Sequence, residues 1–419
     1  MIHYITSNGI GNAWVEAELE TLRRSGVPFV LHTLRMPTRH FFGSPDALLV
    51  NQKTRSIYPL PLLSFSLSMI LAPLLFGRRY ISALCNALFG RRENLRGRCV
   101  GIIHLFVAAH WARLLQQNAR FEPVSLIHSQ WIHSCGTVGM YGAWLLGVPF
   151  SFTGHAVDLF RDRVALTDKI RRADFIVCIS EFHRQFYLDN GARASQLHVV
   201  YCGIDTSAFD FHQRHCSTPY RILSVGRLVE KKGFADLVEA CSILVQRGYD
   251  IECEIGGDGP LETPLRQLIA DRSLADRVLL SGKAILQEDL PTFLKHGHAF
   301  AQPCVWSKDN DVDGTPRTLM EAMSSGLPCV STRLAGIPDI IQDGHSGLLV
   351  SPGSSSELAD ALQSFIDDPV LAGQIAVAGR ESILSKFKLD ECLDPLVILF
   401  RQFLKSTDST CPPKLETSV

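Results

Sequence analysis

Two carboxylates, Asp313 and Glu321, stand eight residues apart in DVDGTPRTLMEAMSSGLPCVST, residues 311–332. Thr315 is a good N-cap residue and Pro316 suits the first helical position, so a helix is predicted to begin at about Pro316. Asp313 then lies just outside the helix N-terminus, and Glu321 lies one to two turns inside it. Because that terminus attracts anions, the pattern fits a phosphate flanked by hydroxyls, as in a sugar nucleotide. A capped surface helix with two solvated acids is the alternative.

Two cations, Arg227 and Lys232, lie in SVGRLVEKKGF, where a strand-like segment ends. Cations at the end of a strand suit a diphosphate, because charge-assisted hydrogen bonds to phosphate are strong. For this segment alone, a solvated turn with its EKK sequence facing water is the alternative.

Two glycine-rich turns also follow strand-like segments. Gly9 and Gly11 lie in SNGIGNAWVEAEL, which opens a helix, and Gly257 and Gly259 lie in IGGDGPLE. Glycine lets the backbone approach a ligand closely, so a phosphate or a nucleoside could lie against these turns. A nicotinamide-dependent dehydrogenase would show GxGxxG and an acid about 20 residues further on, and the first turn has neither.

The elements that must position these residues alternate between short apolar runs and helical patterns, which is typical of parallel α/β units. The first half offers the strands IHYIT, FVLHTL, SLIHSQ, FSFTGH, FIVCIS and LHVVYCG, and the second half offers RILSVG, IECEIGG, VLLSG, AFAQP, PCVST and GLLV. A polar, turn-rich bridge places the domain boundary near Ser207. The predicted fold class is therefore α/β, with domains at residues 1–206 and 207–385, a helix at 386–405 and a disordered tail at 406–419.

Composition narrows the possible functions. The 419 residues, 46% of them hydrophobic, can fill two cores of roughly 200 residues each. A formal net charge of −1 provides no global field for nucleic acid. The twelve cysteines include no CxxC pair, which favours reduced thiols of a cytosolic chain over a zinc site. The first residues lack the basic and apolar regions of a signal peptide, and none is expected.

An apolar and basic insertion is predicted at about residues 56–113 of the first domain. Residues 56–77 are uncharged, but three internal prolines argue against one continuous membrane-spanning helix. Six arginines follow between residues 78 and 98, with Glu93 as the only acid among them. This composition fits interfacial attachment to an anionic membrane leaflet. A buried helical insertion with its arginines in solvent is the alternative.

The order of the motifs resembles that of the retaining glycosyltransferases of family 4. After the first glycine turn come FTGH, CIS, CGID, VGRLVEKKGF, GGDGP and DGTPRTLMEAMSSGLPCVST. The resemblance runs from about Ile2 to Phe387 and is strongest to the exopolysaccharide (colanic-acid-type) branch, in which an acid, here Asp158, follows a strand ending in SFT-H. It implies the GT-B architecture, with two Rossmann-like domains facing across a cleft and a last helix that crosses back to the first. It also implies donor binding mainly by the C-terminal domain and no obligatory metal.

Carried over residue by residue, the resemblance gives each motif a role. Asp313 and Glu321 match an E-x7-E pattern whose first acid contacts donor-sugar hydroxyls and whose second holds the ribose. Arg227 and Lys232 match the cationic pair that neutralises the leaving diphosphate, and His155 matches a histidine that meets the reacting sugar. The other positions expected at the donor are Gly9, Gly11, Gly257, Gly259, Gly314, Thr315 and Pro316.

Three departures from the family pattern affect this assignment. The first acid is an aspartate, one methylene shorter than glutamate. Where the branch often shows H-x-H-F, this chain has His128, Ser129, Gln130 and Trp131, so the second histidine's contribution must be made differently or not at all. The turn GNAWV replaces a SETFI-like turn, so acceptor contacts there are expected to differ.

The resemblance implies an enzyme that moves a sugar, with retention, from a nucleotide-diphosphate donor to a glycan acceptor, by front-face displacement. The expected acceptor is a glycan or a polyprenyl-linked intermediate of surface polysaccharide synthesis, and nucleic acid is not an expected partner. The expected location is the cytoplasm, including the inner face of the cell membrane. Two alternatives are a GT-B sugar-nucleotide epimerase with its own acid and base carboxylates, and a catalytically silent membrane-associated adaptor.

Overall fold

The structure, a computed structural model, describes residues 1–36, 45–161, 163–212 and 217–405. Its contacts divide the chain into two compact units, of which the second is Cys202–Cys392. The first unit contains Met1–Tyr201 and the described residues from Leu393 onward. The division falls five residues before the predicted boundary near Ser207. The predicted tail at 406–419 lies outside the described residues.

A seven-stranded parallel sheet, with the order β3-β2-β1-β4-β5-β6-β7, forms the centre of the first unit. The order changes direction between β1 and β4, and ligands of such sheets bind where strands end around such a point. The six predicted strands are confirmed, whereas β3 was missed because two exposed polar residues give no apolar signal. The strands are β1 (Ile2–Thr6), β2 (Phe29–Thr33), β3 (Arg55–Ser56), β4 (Leu126–Gln130), β5 (Phe150–Thr153), β6 (Phe175–Cys178) and β7 (Leu197–Val199).

Eight helices in the described part of Met1–Tyr201 connect these strands. The longest, Leu95–Asn118, is apolar enough to cross a membrane by length and composition, but 61% of its apolar window is buried, as expected for a core helix. The helices are α1 (Ala13–Arg24), α2 (Pro45–Gln52), α3 (Leu62–Phe76), α4 (Arg78–Phe89), α5 (Leu95–Asn118), α6 (Ser134–Leu146), α7 (Leu166–Arg172) and α8 (Glu181–Asp189).

The second unit repeats this plan with six parallel strands in the order β10-β9-β8-β11-β12-β13. All six predicted strands are confirmed: β8 (Tyr220–Val225), β9 (Ile251–Gly256), β10 (Val278–Leu280), β11 (Ala299–Gln302), β12 (Cys329–Thr332) and β13 (Leu348–Val350). The helices of this unit are α9 (Phe234–Gln246), α10 (Glu262–Asp271), α11 (Leu290–Lys295), α12 (Arg317–Ser324), α13 (Ile337–Ile340), α14 (Ser355–Asp367) and α15 (Pro369–Lys386).

The last helix, α16 (Leu389–Lys405), starts in the second unit and continues in the first. The Phe400 ring lies 5.0 Å from that of His128 in β4, and the Phe403 ring lies 5.3 Å from that of Phe175 in β6. The Arg401 guanidinium also donates a hydrogen bond of 2.6 Å to the Ser25 carbonyl oxygen. The chain therefore returns to the first unit, as the resemblance implies.

Candidate functional site

Two lysines in the turn after β8 are each paired with an aspartate from the segment after β11. Lys232 Nζ lies 2.5 Å from Asp313 Oδ2, and Lys231 Nζ lies 2.9 Å from Asp311 Oδ2. Both partners of the first pair are largely buried. The structure thus brings together two of the predicted site residues, one from each of two neighbouring strand ends.

The ion pair keeps both of these groups charged. Burial by itself would lower the pKa of Lys232, but the Asp313 carboxylate outweighs that effect and holds this pKa above its ordinary value. Burial would likewise raise the pKa of Asp313, and the two neighbouring lysines hold it below its ordinary value instead. The Glu321 carboxylate also contributes to the raised pKa of Lys232, so all three predicted residues share one electrostatic environment.

Glycines allow the turns that follow β8, β9 and β11 to pack closely against each other. Gly233 has φ +69°, and a Cβ atom there would fall 1.7 Å from the Pro303 carbonyl oxygen after β11. A Cβ atom at Gly257 would fall 1.9 Å from the Gly226 carbonyl oxygen, because the turns after β8 and β9 are in contact. Gly257 therefore has a packing role, as does Gly259, and contact of these two glycines with a nucleoside stays a prediction.

The loop before α12 differs in detail from the prediction. The helix begins at Arg317, and Pro316 occupies the N-cap position with an extended ψ of 110°. The expected N-cap role of Thr315 is wrong, because the extended backbone at Pro316 moves the helix start along by one residue. The Gly314 carbonyl oxygen accepts a hydrogen bond of 2.9 Å from the Gly336 amide, which anchors the loop beside Asp313.

Glu321 lies on the inner side of α12 and is only 2% exposed. Its Oε1 atom accepts a hydrogen bond of 3.0 Å from Gln287 Nε2 and lies 3.9 Å from the Arg317 guanidinium. Gln287 was not predicted, because no periodicity or spacing marks an exposed glutamine in the segment between β10 and α11. The second acid of the pattern is thus reachable only beside, or in place of, this glutamine.

Arg227 occupies the carboxyl end of β8 with its side chain exposed. Within the residues that the structure describes, its guanidinium makes no hydrogen bond or ion pair. Lys231 and Lys232 are both paired with aspartates, whereas the Arg227 guanidinium forms no ion pair within the described residues. The exposed position and the positive charge of Arg227 suit an anionic ligand at the carboxyl end of β8.

In the first unit, His155 follows β5 and forms a cluster with two tryptophan rings, which also contact each other. Its ring centroid is 5.7 Å from that of Trp14 in α1 and 5.6 Å from that of Trp131. The Asp158 carboxylate accepts hydrogen bonds from the backbone amides of His155, at 3.1 Å, and of Ile132. Asp158, the acid that the resemblance singles out, therefore joins the segments after β4 and β5.

A chain of hydrogen bonds extends from the His155 ring into the core. His155 Nε2 lies 3.2 Å from Gln130 Nε2, and Gln130 Oε1 accepts from the Tyr4 hydroxyl at 2.9 Å. The same hydroxyl lies 2.7 Å from Glu18 Oε1. Burial lowers the pKa of His155 to about 4, so the neutral ring accepts from the Gln130 amide and carries its proton on Nδ1.

Gln130 thus stands where the family branch often has its second histidine, and it contacts the predicted site histidine directly. Sequence reasoning missed Tyr4 and Glu18 as its partners. Tyr4 resembles any buried strand residue, and Glu18 resembles a solvated acid of α1. Their pairing depends on β1, β4 and α1 meeting in three dimensions.

The first glycine turn lies between β1 and α1. Gly9 has φ +60°, and its amide donates a hydrogen bond of 2.6 Å to Thr33 Oγ1. A Cβ atom at Gly11 would lie 3.3 Å from the Asn8 carbonyl oxygen. Both glycines therefore lie at the carboxyl edge of the first sheet, where His155 also lies.

Glu18→Gln should remove a pH dependence of stability. Burial raises the Glu18 pKa from 4.5 to about 7, against the opposing effect of the Tyr4 hydrogen bond. The native state therefore binds more protons between these two values, and the parent loses stability as pH rises through this window. At about pH 8 the neutral variant should be more stable, by on the order of 1–3 kcal/mol, and the two should converge near pH 4.5. Urea unfolding across this range measures the difference.

Glu20→Gln, on the same helix, is the control: it removes a partly exposed ion pair with Arg24, so it should lower stability by only about 0.3–0.5 kcal/mol and should not reproduce the gain of Glu18→Gln at pH 8. A Glu18→Gln profile parallel to that of the parent would show that Glu18 ionises normally. The hydrogen-bond chain would then have a charged carboxylate at its inner end near neutral pH.

Two protein-family models match adjoining parts of the chain. The model described as Glycosyltransferase Family 4 matches residues 85–208, and the one described as Glycosyl transferases group 1 matches residues 205–382. Together they include the second sheet, the turns that carry Arg227, Lys232 and Asp313, and the first-unit segment that carries His155.

Curated relatives match over part of their length. The chain is 35% identical over 215 residues to the amylovoran biosynthesis glycosyltransferase AmsK of Erwinia amylovora, covering 51% of this chain and 53% of the relative. It is 35% identical over 220 residues to the putative colanic acid biosynthesis glycosyltransferase WcaL of Escherichia coli strain K12, covering 52% and 54%. The chain thus spans about half the length of the curated relatives it matches.

Solved structures match over nearly the whole chain. A glycosyltransferase from Rickettsia africae aligns with a TM-score of 0.68 at 15% identity, covering 96% of this chain and 98% of that one. HepE of Anabaena, solved in complex with UDP and glucose, aligns with a TM-score of 0.64 at 17% identity, covering 98% and 99%. The fold is therefore that of the two-domain GT-B enzymes. The two family models, which together match residues 85–382, identify the chain as a member of glycosyltransferase family 4.

Proposed function

We propose that this chain transfers a sugar from a nucleoside diphosphate donor to a glycan acceptor, with retention of the anomeric configuration. The observation that carries the proposal is the Lys232–Asp313 ion pair, with Arg227 at the same strand end. Arg227 and Lys232 offer positive charge for a diphosphate. Asp313, at the end of the neighbouring strand, offers a carboxylate for sugar hydroxyls. The exposed charge of Arg227 attracts the donor, and the buried charge of Lys232 acts close to the bond that breaks.

The leaving diphosphate gains negative charge as the glycosidic bond breaks. Cations fixed before the reaction stabilise that charge in the transition state without reorganising, and such preorganised groups give large accelerations. Lys232 is fixed in this sense, because its stem packs over Gly226 and its ammonium is bonded to Asp313. Arg227 and Lys232 thus carry the role that a metal ion plays in other transferases, and we propose that no resident metal is required.

The α12 segment supplies the proposed carboxylates. Asp313 lies outside the helix and would hold hydroxyls of the donor sugar, whereas Glu321 lies within it and would hold the ribose. Retention follows from front-face displacement, in which the departing phosphate oxygen accepts the proton of the incoming hydroxyl. The contact of His155 with the reacting sugar stays a prediction.

The pathway is proposed from the relatives. AmsK and WcaL bear the names of amylovoran and colanic acid biosynthesis, and HepE is solved with UDP and glucose. By extension, we place this chain in the cytoplasm, in surface polysaccharide synthesis, with a nucleotide sugar as donor and a lipid-linked intermediate as acceptor.

A thermal-shift screen against UDP, GDP, ADP and CMP and their sugars tests the donor class. A ligand at 100 times its dissociation constant stabilises the native state by about 2.7 kcal/mol, which gives a clear shift. Arg227→Ala should lose that shift while keeping the melting temperature of the parent without ligand, because the replaced side chain is exposed. If no nucleotide shifts the transition, the donor proposal fails.

Product analysis with the donor that binds separates the alternatives. A transferase releases nucleoside diphosphate and extends a glycan, whereas an epimerase returns a changed sugar nucleotide. A silent adaptor produces neither product.

A further inference from the structure

The inward side of α3 carries polar contacts through Ser64 and Ser68 beside the buried apolar residues Ala72 and Phe76. Ser68 is fully buried, and its Oγ lies 2.8 Å from His110 Nδ1 and 2.7 Å from Arg113 Nε, both on α5. Ser64 Oγ accepts a further hydrogen bond of 2.9 Å from the Arg113 guanidinium. The contacts that hold α3 on the first unit are therefore partly polar, unlike the wholly apolar inward face of an ordinary surface helix.

The opposite side of α3 is an apolar stripe formed by Leu63, Leu67, Ile70 and Leu74. Their spacings of four, three and four residues place them on one helix face. The exposed fractions of Leu63, Ile70 and Leu74 are 90%, 70% and 80%. A soluble surface rarely shows such a run without a partner, so the stripe indicates a docking surface.

The stripe is too short, and its helix too bent, to cross a bilayer alone. A helix of 15 residues is about 22 Å long at 1.5 Å per residue, shorter than a hydrocarbon core of about 30 Å. Pro73 lies inside α3, and the axis turns by 115° between α3 and α4. With its polar face already bonded to α5, α3 is suited to lie in a membrane interface.

The segment that contains α3 carries exposed charges of mainly one sign. Glu93 is the only acid between residues 56 and 118, and its carboxylate is engaged by backbone hydrogen bonds from Ala165 and Leu166. Arg92 is also used internally, in an ion pair of 2.6 Å with Asp168. Four exposed arginines make no ion pair within the described chain, namely Arg78, Arg79, Arg91 and Arg96.

We propose that the apolar stripe of α3, together with these four arginines, docks on the surface of an anionic lipid bilayer. A second copy of the chain fits less well, because a symmetric contact through this face would bring arginines near arginines without acids to compensate them. Anionic headgroups supply the charge that the surface lacks, and the adjoining acyl region accepts the leucines. This surface does not depend on the proposed reaction, although it would bring the enzyme to a lipid-linked acceptor.

Sedimentation with vesicles tests the proposal. The full chain should bind vesicles of equimolar phosphatidylglycerol and phosphatidylcholine, and bind phosphatidylcholine vesicles much more weakly. Ile70→Ser and Leu74→Ser should each lower the partition coefficient by about tenfold or more. Arg78→Gln and Arg91→Gln should each lower it by about fivefold on anionic vesicles and have little effect on neutral ones.

Val370→Ser is the matched control, because Val370 in the second unit is 69% exposed, as Ile70 is. It should leave vesicle binding unchanged. All variants replace exposed side chains, so unchanged melting temperatures would show that they are folded. The parent's failure to bind anionic vesicles would overturn the proposal. The proposal would also be overturned if Ile70→Ser and Leu74→Ser bound vesicles as the parent does. It would likewise be overturned if their only effect, measured by light scattering, were to convert a dimer to a monomer.

Discussion

Lys232→Ala should lower the rate of sugar transfer by at least about 100-fold and should also weaken nucleoside diphosphate binding. Loss of a charge-assisted contact accounts for roughly 1.5–3 kcal/mol, or a factor of about 10 to 150. The variant also leaves the Asp313 carboxylate without its partner at 2.5 Å in a largely buried position. Because the contact with the leaving group strengthens as the bond breaks, turnover should fall more than binding. Calorimetry with the diphosphate, beside donor turnover, measures both quantities.

Lys231→Ala provides the neighbouring control. Lys231 belongs to the same short turn but pairs with Asp311, so its removal should affect transfer much less. A double variant, Lys232→Ala with Asp313→Asn, separates folding from catalysis. It should recover stability by removing the unpaired carboxylate, whereas transfer should stay low. Full transfer in Lys232→Ala would remove this lysine from the site.

The fold could be predicted because strand signals in parallel sheets are local. Strands buried on both faces read as short apolar runs, and the six predicted strands of each half occur in the structure. The extra edge strand β3 consists of Arg55 and Ser56, and it depends on pairing with β2 and not on its own composition. The start of α12 was misplaced because Pro316 is compatible with both a first helical residue and an extended N-cap.

The strand-end residues of the candidate site could also be identified in advance. Glycines, cations and acids just after apolar runs lie at one edge of a parallel sheet by topology, which brings Lys232 and Asp313 together. The residues that were missed act across elements. Gln287 reaches Glu321 from the segment after β10, and Gln130 reaches His155 from the end of β4. The partners in each of these pairs are far apart in the sequence, so the pattern within one helix or strand cannot predict the contact.

The insertion shows a different limit. Its sequence combines an uncharged apolar run with six arginines, so composition left both a membrane surface and a buried helix open. The structure excludes a fully buried α3, because Ser64 and Ser68 find polar partners on α5 while Leu63 and Leu74 are 90% and 80% exposed, and attachment to a membrane stays a prediction. Which face of a helix is buried depends on what the helix packs against. The sequence of α3 alone did not show that its serines would face α5.

Asp313→Asn and Glu321→Gln should impair the enzyme in different ways, since the two acids are proposed to hold different parts of the donor. Glu321→Gln keeps size and removes charge, so affinity for the nucleotide alone should fall. Asp313→Asn should spare nucleotide binding and reduce transfer by about 10-fold to 150-fold, from a charged hydrogen bond of roughly 1.5–3 kcal/mol. Asp313→Asn also weakens the hold on Lys232, so the losses of transfer rate in Asp313→Asn and Lys232→Ala should be less than additive in the double variant.

Gln287 makes the prediction for Glu321 sharper. Its amide already donates to Glu321 Oε1 at 3.0 Å, so a ribose hydroxyl must compete with it for that carboxylate. Gln287→Ala should therefore leave nucleotide affinity equal to or above that of the parent, while Glu321→Gln lowers it. Calorimetry with the diphosphate and a turnover assay should be run on all three variants. Equal transfer by Asp313→Asn and the parent would make the shorter acid a bystander. A loss of nucleotide affinity in Gln287→Ala as large as that in Glu321→Gln would make the glutamine a ligand-binding residue and not a competitor.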